Sequence, residues 1–465
     1  MNAQPFIVSR KRGRVQRTGG FGRLPGFHGD QSPAESADKS AHSKLAAALF
    51  GMVLSFVAIV GVASAQPAAN PTNPPAPPKL DFEPNIPVLL LTARGPIDKA
   101  QKSPCTLSLA LPGQKMPGAS NYWTGEVKLH GGVSVGFPKQ SYGIALAAPA
   151  RLLDLRESAH WVLNAAFIDR SLMRHKLSYD LFRSLDAPGA RRFATGSRFV
   201  EVYLNGDYRG AYLLMERVDR QLLDLRRFAT NESSHACIYK AVDHAANFGQ
   251  PGHAGYEQRE PDPAVKEYWR PLDELDAFVS GSPDAEFSNA QNGIGSRLDL
   301  ANAIDFYLLV LLTSNQDGIT KNFIIAQDAV GEKLPKPHFF FAPWDYDATF
   351  GRNWNATVVG STSWLSNALF DRLMGQRDFK ERFAQRWNEL SKGPFSQKTI
   401  HAMIDVNVRT LGEAARRNAV RWRPVAGHYP DRLSFDEDVA QMKTWVEERI
   451  QWLDAEIKRR TAPAQ

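Results

Sequence analysis

Thr313–Gly351 reads TSNQDGITKNFIIAQDAVGEKLPKPHFFFAPWDYDATFG. The pattern is the end of an apolar helix, a polar loop, a β-hairpin and a second polar loop. The first loop carries Asp317 and Asn322, the second Asp345 and Asp347. FIIA and HFFFA are the hairpin strands, and pairing them brings the loops at their outer ends together. Three carboxylates and an amide then converge. Carboxylates this close repel one another unless a cation sits between them or one keeps its proton. Oxygen ligands suit magnesium, manganese or calcium rather than zinc. Such a site with one further Asp free to act as base is equipped for phosphoryl transfer.

Composition narrows the setting. At 465 residues the chain has room for one large domain or two ordinary ones, and 43% apolar residues with ten Trp and 26 Phe supply a core. The net charge of +7 is lopsided, because residues 1–44 hold eight Lys/Arg against three Asp/Glu. The body is close to neutral, which argues against nucleic acid as a partner. Cys105 and Cys237 are too few for a disulfide scaffold or a Cys-based zinc site, and pairing between them is left open.

Outward from the central stretch, residues 1–44 read as a disordered basic leader. Residues 45–65 hold an apolar run, LAAALFGMVLSFVAIVGV, followed by Ala63-Ser64-Ala65. This is a signal peptide or a retained membrane anchor, and either places the remainder beyond the cytoplasmic membrane. Residues 66–79 form a Pro-rich linker. The folded domain is expected over residues 80–460. VLLLTA, TGEVKLHG and QSYGIAL read as strands. Between the last two, HGGVSVGFPKQSY (130–142) offers Ser134 in a Gly-bearing loop and a lone Lys139. That is either a phosphate cradle or a plain turn. HWVLNAAFIDRSLMRHKLSYDLFRSL (160–185) begins as a strand and becomes a helix for which Asp169 is the expected cap. FVEVYLNGDYRGAYLLMERV (199–218) is a hairpin about Asn205-Gly206, with Glu216 near its end. Residues 221–295 are polar and Gly/Pro-punctuated, the pattern of an insertion or lid, and His235, His244 and His253 show no metal-ligand spacing. After Gly351 the periodicity is helical, ending in a helix capped by Ser434 and Glu437.

The ordered motifs FPKQSY, WVLNAAFIDRSLMRHKL, EVYLNGDYRGAYLLMERV, NQDGITKN, PWDYDATFG and WVEERIQWLD resemble the spore-coat protein H (CotH) kinase family from about residue 87 to 458. The resemblance implies an α+β, atypical protein-kinase-like fold with a β-rich N-terminal lobe and a mostly helical C-terminal lobe. It also implies transfer of phosphate from ATP to Ser of a protein partner. The ordinary kinase signatures HRD, DFG and VAIK are absent. Carried over by motif, Asp317 matches the catalytic Asp and Asn322 and Asp345 the metal ligands for Mg²⁺ or Mn²⁺. Asp347 is then a further ligand or lies behind one, and Lys139 is the phosphate-contacting Lys. Ser134 and Glu216 join the nucleotide side. Phe339 stands where relatives place an aromatic against adenine. His130-Gly131-Gly132 departs from the family's Arg-Gly with paired Ser. Two rivals remain: a pseudokinase or adhesin that keeps the fold for binding, and a glycoside hydrolase using two of the carboxylates.

Overall fold

The computed structural model describes residues 80–115, 122–187, 190–229, 236–328, 338–423 and 433–462. The expected leader, signal or anchor and linker lie outside them. Among the described residues no helix is long and apolar enough to cross a membrane.

Seven strands close into a barrel: β1 (Val88–Ala93), β2 (Ser103–Ala110), β3 (Trp123–His130), β4 (Ser141–Arg151), β5 (Glu157–Asn164), β6 (Ser197–Leu204) and β7 (Asp207–Glu216). Their order is β1-β2-β3-β4-β5-β7-β6. Every pair is antiparallel except the closing one, where β6 runs parallel to β1 with Val202 opposite Leu89. Closure removes sheet edges. Inward residues such as Leu91, Leu107, Val127, Ile144, Trp161, Val202 and Leu214 fill the interior, each contributing roughly 1.5–3 kcal/mol of burial. The β6–β7 hairpin turns on Asn205 and Gly206, whose φ values are 51° and 83°. Positive φ at both positions suits the twist of the flanking strands. Between β5 and β6, helix α1 (Arg174–Arg183) returns the chain toward the barrel.

The described residues among 221–295, expected as an insertion or lid, are built into the fold. They contribute β8 (Cys237–Ala241) and β9 (Tyr256–Glu260), then α2 (Arg270–Gly281) and α3 (Asp284–Phe287). After α4 (Leu300–Thr313) come β10 (Phe323–Gln327) and β11 (Phe339–Pro343), and the second sheet is ordered β11-β10-β8-β9. The expected hairpin is present, but β8 covers its other edge, with Ile324 opposite Lys240. β8 escaped the sequence reading because it is short and buried on both faces, so it lacks a period of two. Cys237 lies here and Cys105 in the barrel, and both thiols are free and buried.

α4 is buried nearly all round, so it reads as apolar on every face. Asp299 caps its start, and its end breaks at Ser314 in a left-handed conformation. α5 (Ala368–Gly375), α6 (Arg377–Leu390), α7 (Gln397–Trp422) and α8 (Phe435–Thr461) follow. α8 carries the expected Ser434–Glu437 capping box. It buries Met442, Val446, Ile450 and Leu453. The observed architecture is therefore α+β, with the strands of the barrel first and helices predominating later.

Candidate active site

The register of β10 and β11 sets Phe323 opposite Pro343, so the loops carrying Asn322 and Asp345 leave the sheet side by side. Trp344 N donates to Asn322 O at 3.2 Å, and Asn322 N donates to Ala241 O at 3.0 Å. Asn315, 1% exposed, joins the two loops directly. Its Nδ2 donates to Asp345 O at 3.1 Å and its Oδ1 accepts from Gly318 N at 2.9 Å. Gly318 is required, since a Cβ there would fall 2.7 Å from the Asn315 side chain. Ser314, Asn322 and Asp345 have φ of 49°, 58° and 58°. Left-handed backbone costs energy outside glycine, Asn and Asp tolerate it best, and such residues cluster at functional sites. Sequence reasoning missed Asn315, although its place two residues before Asp317 was visible.

Among the described residues, His175, Asp345 and Asp347 place ligand atoms within 4.8 Å of one another. Burial pushes the Asp347 carboxyl well above the usual range, and the charges of Asp345 and Asp169 push it further. A divalent cation would relieve that repulsion, and oxygen donors of this type fit Mg²⁺ or Mn²⁺.

The third member is not an oxygen ligand. His175 is buried, and desolvation lowers its pKa, so the ring is neutral. Its Nδ1 accepts a hydrogen bond from Tyr346 N at 3.0 Å. A neutral imidazole accepting at Nδ1 carries its hydrogen on Nε2. That Nε2 lies 3.7 Å from Asp345 Oδ1 and has no hydrogen-bond partner among the described residues. It is aimed at the carboxylate as a donor rather than offering a lone pair to a metal. One turn further along α1, Tyr179 OH accepts from Asp345 N at 3.0 Å, and the rings of His175 and Tyr179 stack with centroids 5.7 Å apart. Helix α1 thus holds the Asp345 loop.

Asp317 stands apart from this group. Its carboxylate, 28% exposed, faces Lys321 Nζ at 3.2 Å and His244 Nε2 at 3.7 Å. The ring of His244 is fixed by Thr320 Oγ1 at 2.7 Å from Nδ1. The Asp317 carboxylate lies outside the candidate metal group and is partly open to solvent, the setting that proton acceptance requires. Asp169 is not the expected cap of α1, since the N-cap position is Met173, whose side chain makes no capping bond. It accepts from Arg174 N at 2.8 Å and pairs with the Arg174 guanidinium at 2.6 Å.

Three expected residues are placed otherwise. Lys139 is 1% exposed, and its ammonium donates to Ala165 O at 2.7 Å and to Ala211 O. Below it lies the Tyr212 ring, 4.4 Å from Nζ to centroid. It ties β4, β5 and β7 together instead of presenting charge to a ligand. Glu216 accepts from Arg156 N at 2.9 Å and Gly196 N at 2.8 Å, which clasps the end of the barrel. Phe339 is 3% exposed and packs toward Tyr239 in the main core. Alternation along β11 sends Phe340, not Phe339, to the opposite face beside Phe193. Ser134 lies in the 3₁₀ turn Val133–Gly136 that joins β3 to β4.

A relative, the inner spore coat protein H of Bacillus subtilis (strain 168), is 31% identical over 260 residues. The aligned region covers 53% of this chain and 65% of that protein, just under two thirds of its length. The family profile described as CotH kinase protein matches residues 127–453. That span runs from within β3 into α8 and takes in both loops of the hairpin, so the chain belongs to the CotH kinase protein family.

Proposed function

We propose that the chain is an exported protein kinase of atypical type, transferring the γ-phosphoryl group of ATP to a Ser hydroxyl of a protein partner. The observation that supports it best is the junction at Asn315, which fastens the Asp317 loop to the Asp345 loop. Asp345, Asp347 and Asn322 are the residues for Mg²⁺ or Mn²⁺, which when bound neutralises charge on the phosphates. Asp317 accepts the proton of the attacking hydroxyl, and Lys321 and His244 keep its carboxylate in place. Ser134, in the turn after β3, is the residue of that loop nearest in type to a phosphate contact. The relative's name assigns it to the inner spore coat. For this chain the reading is a periplasmic, extracellular or surface location, with membrane attachment only through residues 45–65.

A second reading is a pseudokinase or adhesin-like binding protein on the same fold. It is favoured by Lys139 and Glu216, whose charges are spent on main-chain groups of the barrel. Incubating residues 66–465 with labelled ATP, Mn²⁺ and a Ser-rich protein separates the two. The kinase reading expects label on the protein, lost with Asp317→Ala and with Asp345→Ala while each variant melts like the parent. Labelling by both variants defeats the roles of Asp317 as base and Asp345 as metal ligand. No labelling and no stabilisation of the parent by Mn²⁺–ATP favours the binding protein.

A further inference from the structure

We propose that Lys240 is the cation that grips the phosphate chain of the nucleotide, the part expected of Lys139. This rests on the phosphotransferase reading, and the ligand class is a metal-bound polyphosphate.

The placement follows from the second sheet. Lys240 sits on β8 opposite Ile324, and Ile324 is opposite Ala342. Side chains in one row across a sheet share a face. The next residue of β8, Ala241, holds Asn322 through its carbonyl, and Trp344 N is bonded to Asn322 O. Lys240 is therefore one residue from the strand end that fixes both loops. Its ammonium lies 4.7 Å from the centroid of the Trp344 ring, and Trp344 directly precedes Asp345.

The ammonium is also undersatisfied. Lys240 is half-buried, and the carboxylate opposite it across the sheet, Glu257, pairs with Arg259 rather than with Lys240. An ammonium has three hydrogens to donate, and one aromatic face does not replace the water it has lost. Burial and Arg259 lower its pKa, while the charges of Asp345 and then Glu257 oppose them. His130, at the end of β3, is held neutral by burial and by the charge of Lys240, its pKa pushed down to about 4. A polyphosphate whose other oxygens meet a cation at Asp345 and Asp347 supplies what Lys240 lacks. Lys139 is the reverse case, with its donors already spent on two carbonyls.

The test measures binding, not turnover, on residues 66–465. The probes are Mn²⁺–ATP, Mn²⁺–tripolyphosphate and adenosine, followed by calorimetry and by Trp fluorescence. Lys240→Met is expected to weaken both phosphate-bearing probes by about 10-fold to 100-fold. Adenosine binding stays unchanged, and Lys240→Arg recovers most of the loss. Lys240→Gln serves as a second neutral variant should the Met variant fold poorly. Lys139→Met is expected to lower the melting temperature while the folded protein binds Mn²⁺–ATP within about threefold of the parent. Equal binding by the parent and the neutral Lys240 variants overturns the assignment, as does a larger loss from Lys139→Met in the folded protein. If the parent binds neither phosphate-bearing probe, the phosphotransferase reading itself fails.

Discussion

His175 lies against the Asp345 carboxylate and, on the kinase reading proposed above, would orient it without meeting a phosphate itself. Burial keeps its ring neutral, Tyr346 N occupies Nδ1, and Nε2–H is left facing Asp345. Partners that orient a ligand in this way typically change metal affinity by about 10-fold to 100-fold when removed. His175→Phe fills the space without a donor, and Mn²⁺ affinity read by electron paramagnetic resonance is expected to fall within that range. His175→Asn keeps a donor and should retain more of it. Unchanged affinity in His175→Phe would show that Asp345 is held by Tyr179 and Asn315 alone. The role was hidden in the sequence. RHKL reads as helix, and nothing in its spacing tells which ring nitrogen meets a main-chain amide. The pairing that sets the loops of Asn322 and Asp345 side by side was legible because hairpin register depends on near neighbours. Lys139 and Phe339 were misassigned because the direction of a side chain depends on barrel closure and strand alternation, which a motif does not carry.

At the scale of elements, buried charges decide how helices dock. Arg174 of α1 donates to Asp169, to Asp438 of α8 at 2.6 and 2.8 Å, and to Thr349 O at 2.9 Å. These three groups are almost fully buried and carry two negative charges against one positive, and Arg352, with Nε 3.5 Å from Asp438, supplies the second positive charge; together they join α1, α8 and the loop after Asp347. α2 presents the opposite case. It docks through Leu272, Leu275, Phe278 and Val279, and Asp276 is buried beside them. Asp276 Oδ1 has no hydrogen-bond partner among the described residues. Burial first, and the charge of Asp273 second, push its carboxyl from 3.8 to about 8. The folded state therefore holds the proton more tightly than the unfolded state. Stability from this group is fully present below pH 4 and is lost as pH rises toward 8, by at most ~6 kcal/mol. Asp276→Asn is expected to remove that slope, melting near the parent at pH 5 and higher than the parent at pH 9. An identical fall in both proteins between those pH values would show that Asp276 does not titrate there. Helical spacing does separate the two, because Asp276 falls on the i, i+3, i+4, i+7 stripe of Leu272, Leu275 and Val279, whereas Asp273 lies off it.

At the scale of the molecule, α7 links the barrel to the helical part that carries Asp317 and Asp345. Arg417 makes two bonds of 2.8 Å to Glu201 of β6, which is fully buried, and a third of 2.9 Å to Asn85. Arg421 donates to Tyr208 O and Trp422 Nε1 to Arg209 O, both at 2.9 Å, while Asn418 Oδ1 accepts from Ala211 N. Asn85 in turn donates to Thr410 O and Leu411 O, just where α7 breaks at Gly412. The same stretch of β7 supplies Ala211 O to Lys139. Helix docking and barrel closure therefore meet on one strand. Removing Arg417 leaves Glu201 buried with Tyr208 OH as its remaining donor, and an uncompensated buried charge typically costs about 3–5 kcal/mol. Arg417→Met keeps an unbranched apolar side chain but loses both the charge and the guanidinium stacked 4.0 Å over the Phe82 ring. The expected result in scanning calorimetry is an early transition of the barrel ahead of the helical part, with Mn²⁺–ATP binding lost in that first step. Glu201→Gln together with Arg417→Met removes both charges, and should recover part of the stability lost by Arg417→Met alone. A single transition at the parent's temperature in Arg417→Met would show that apolar packing of α7 on β6 and β7 suffices to hold the two parts together.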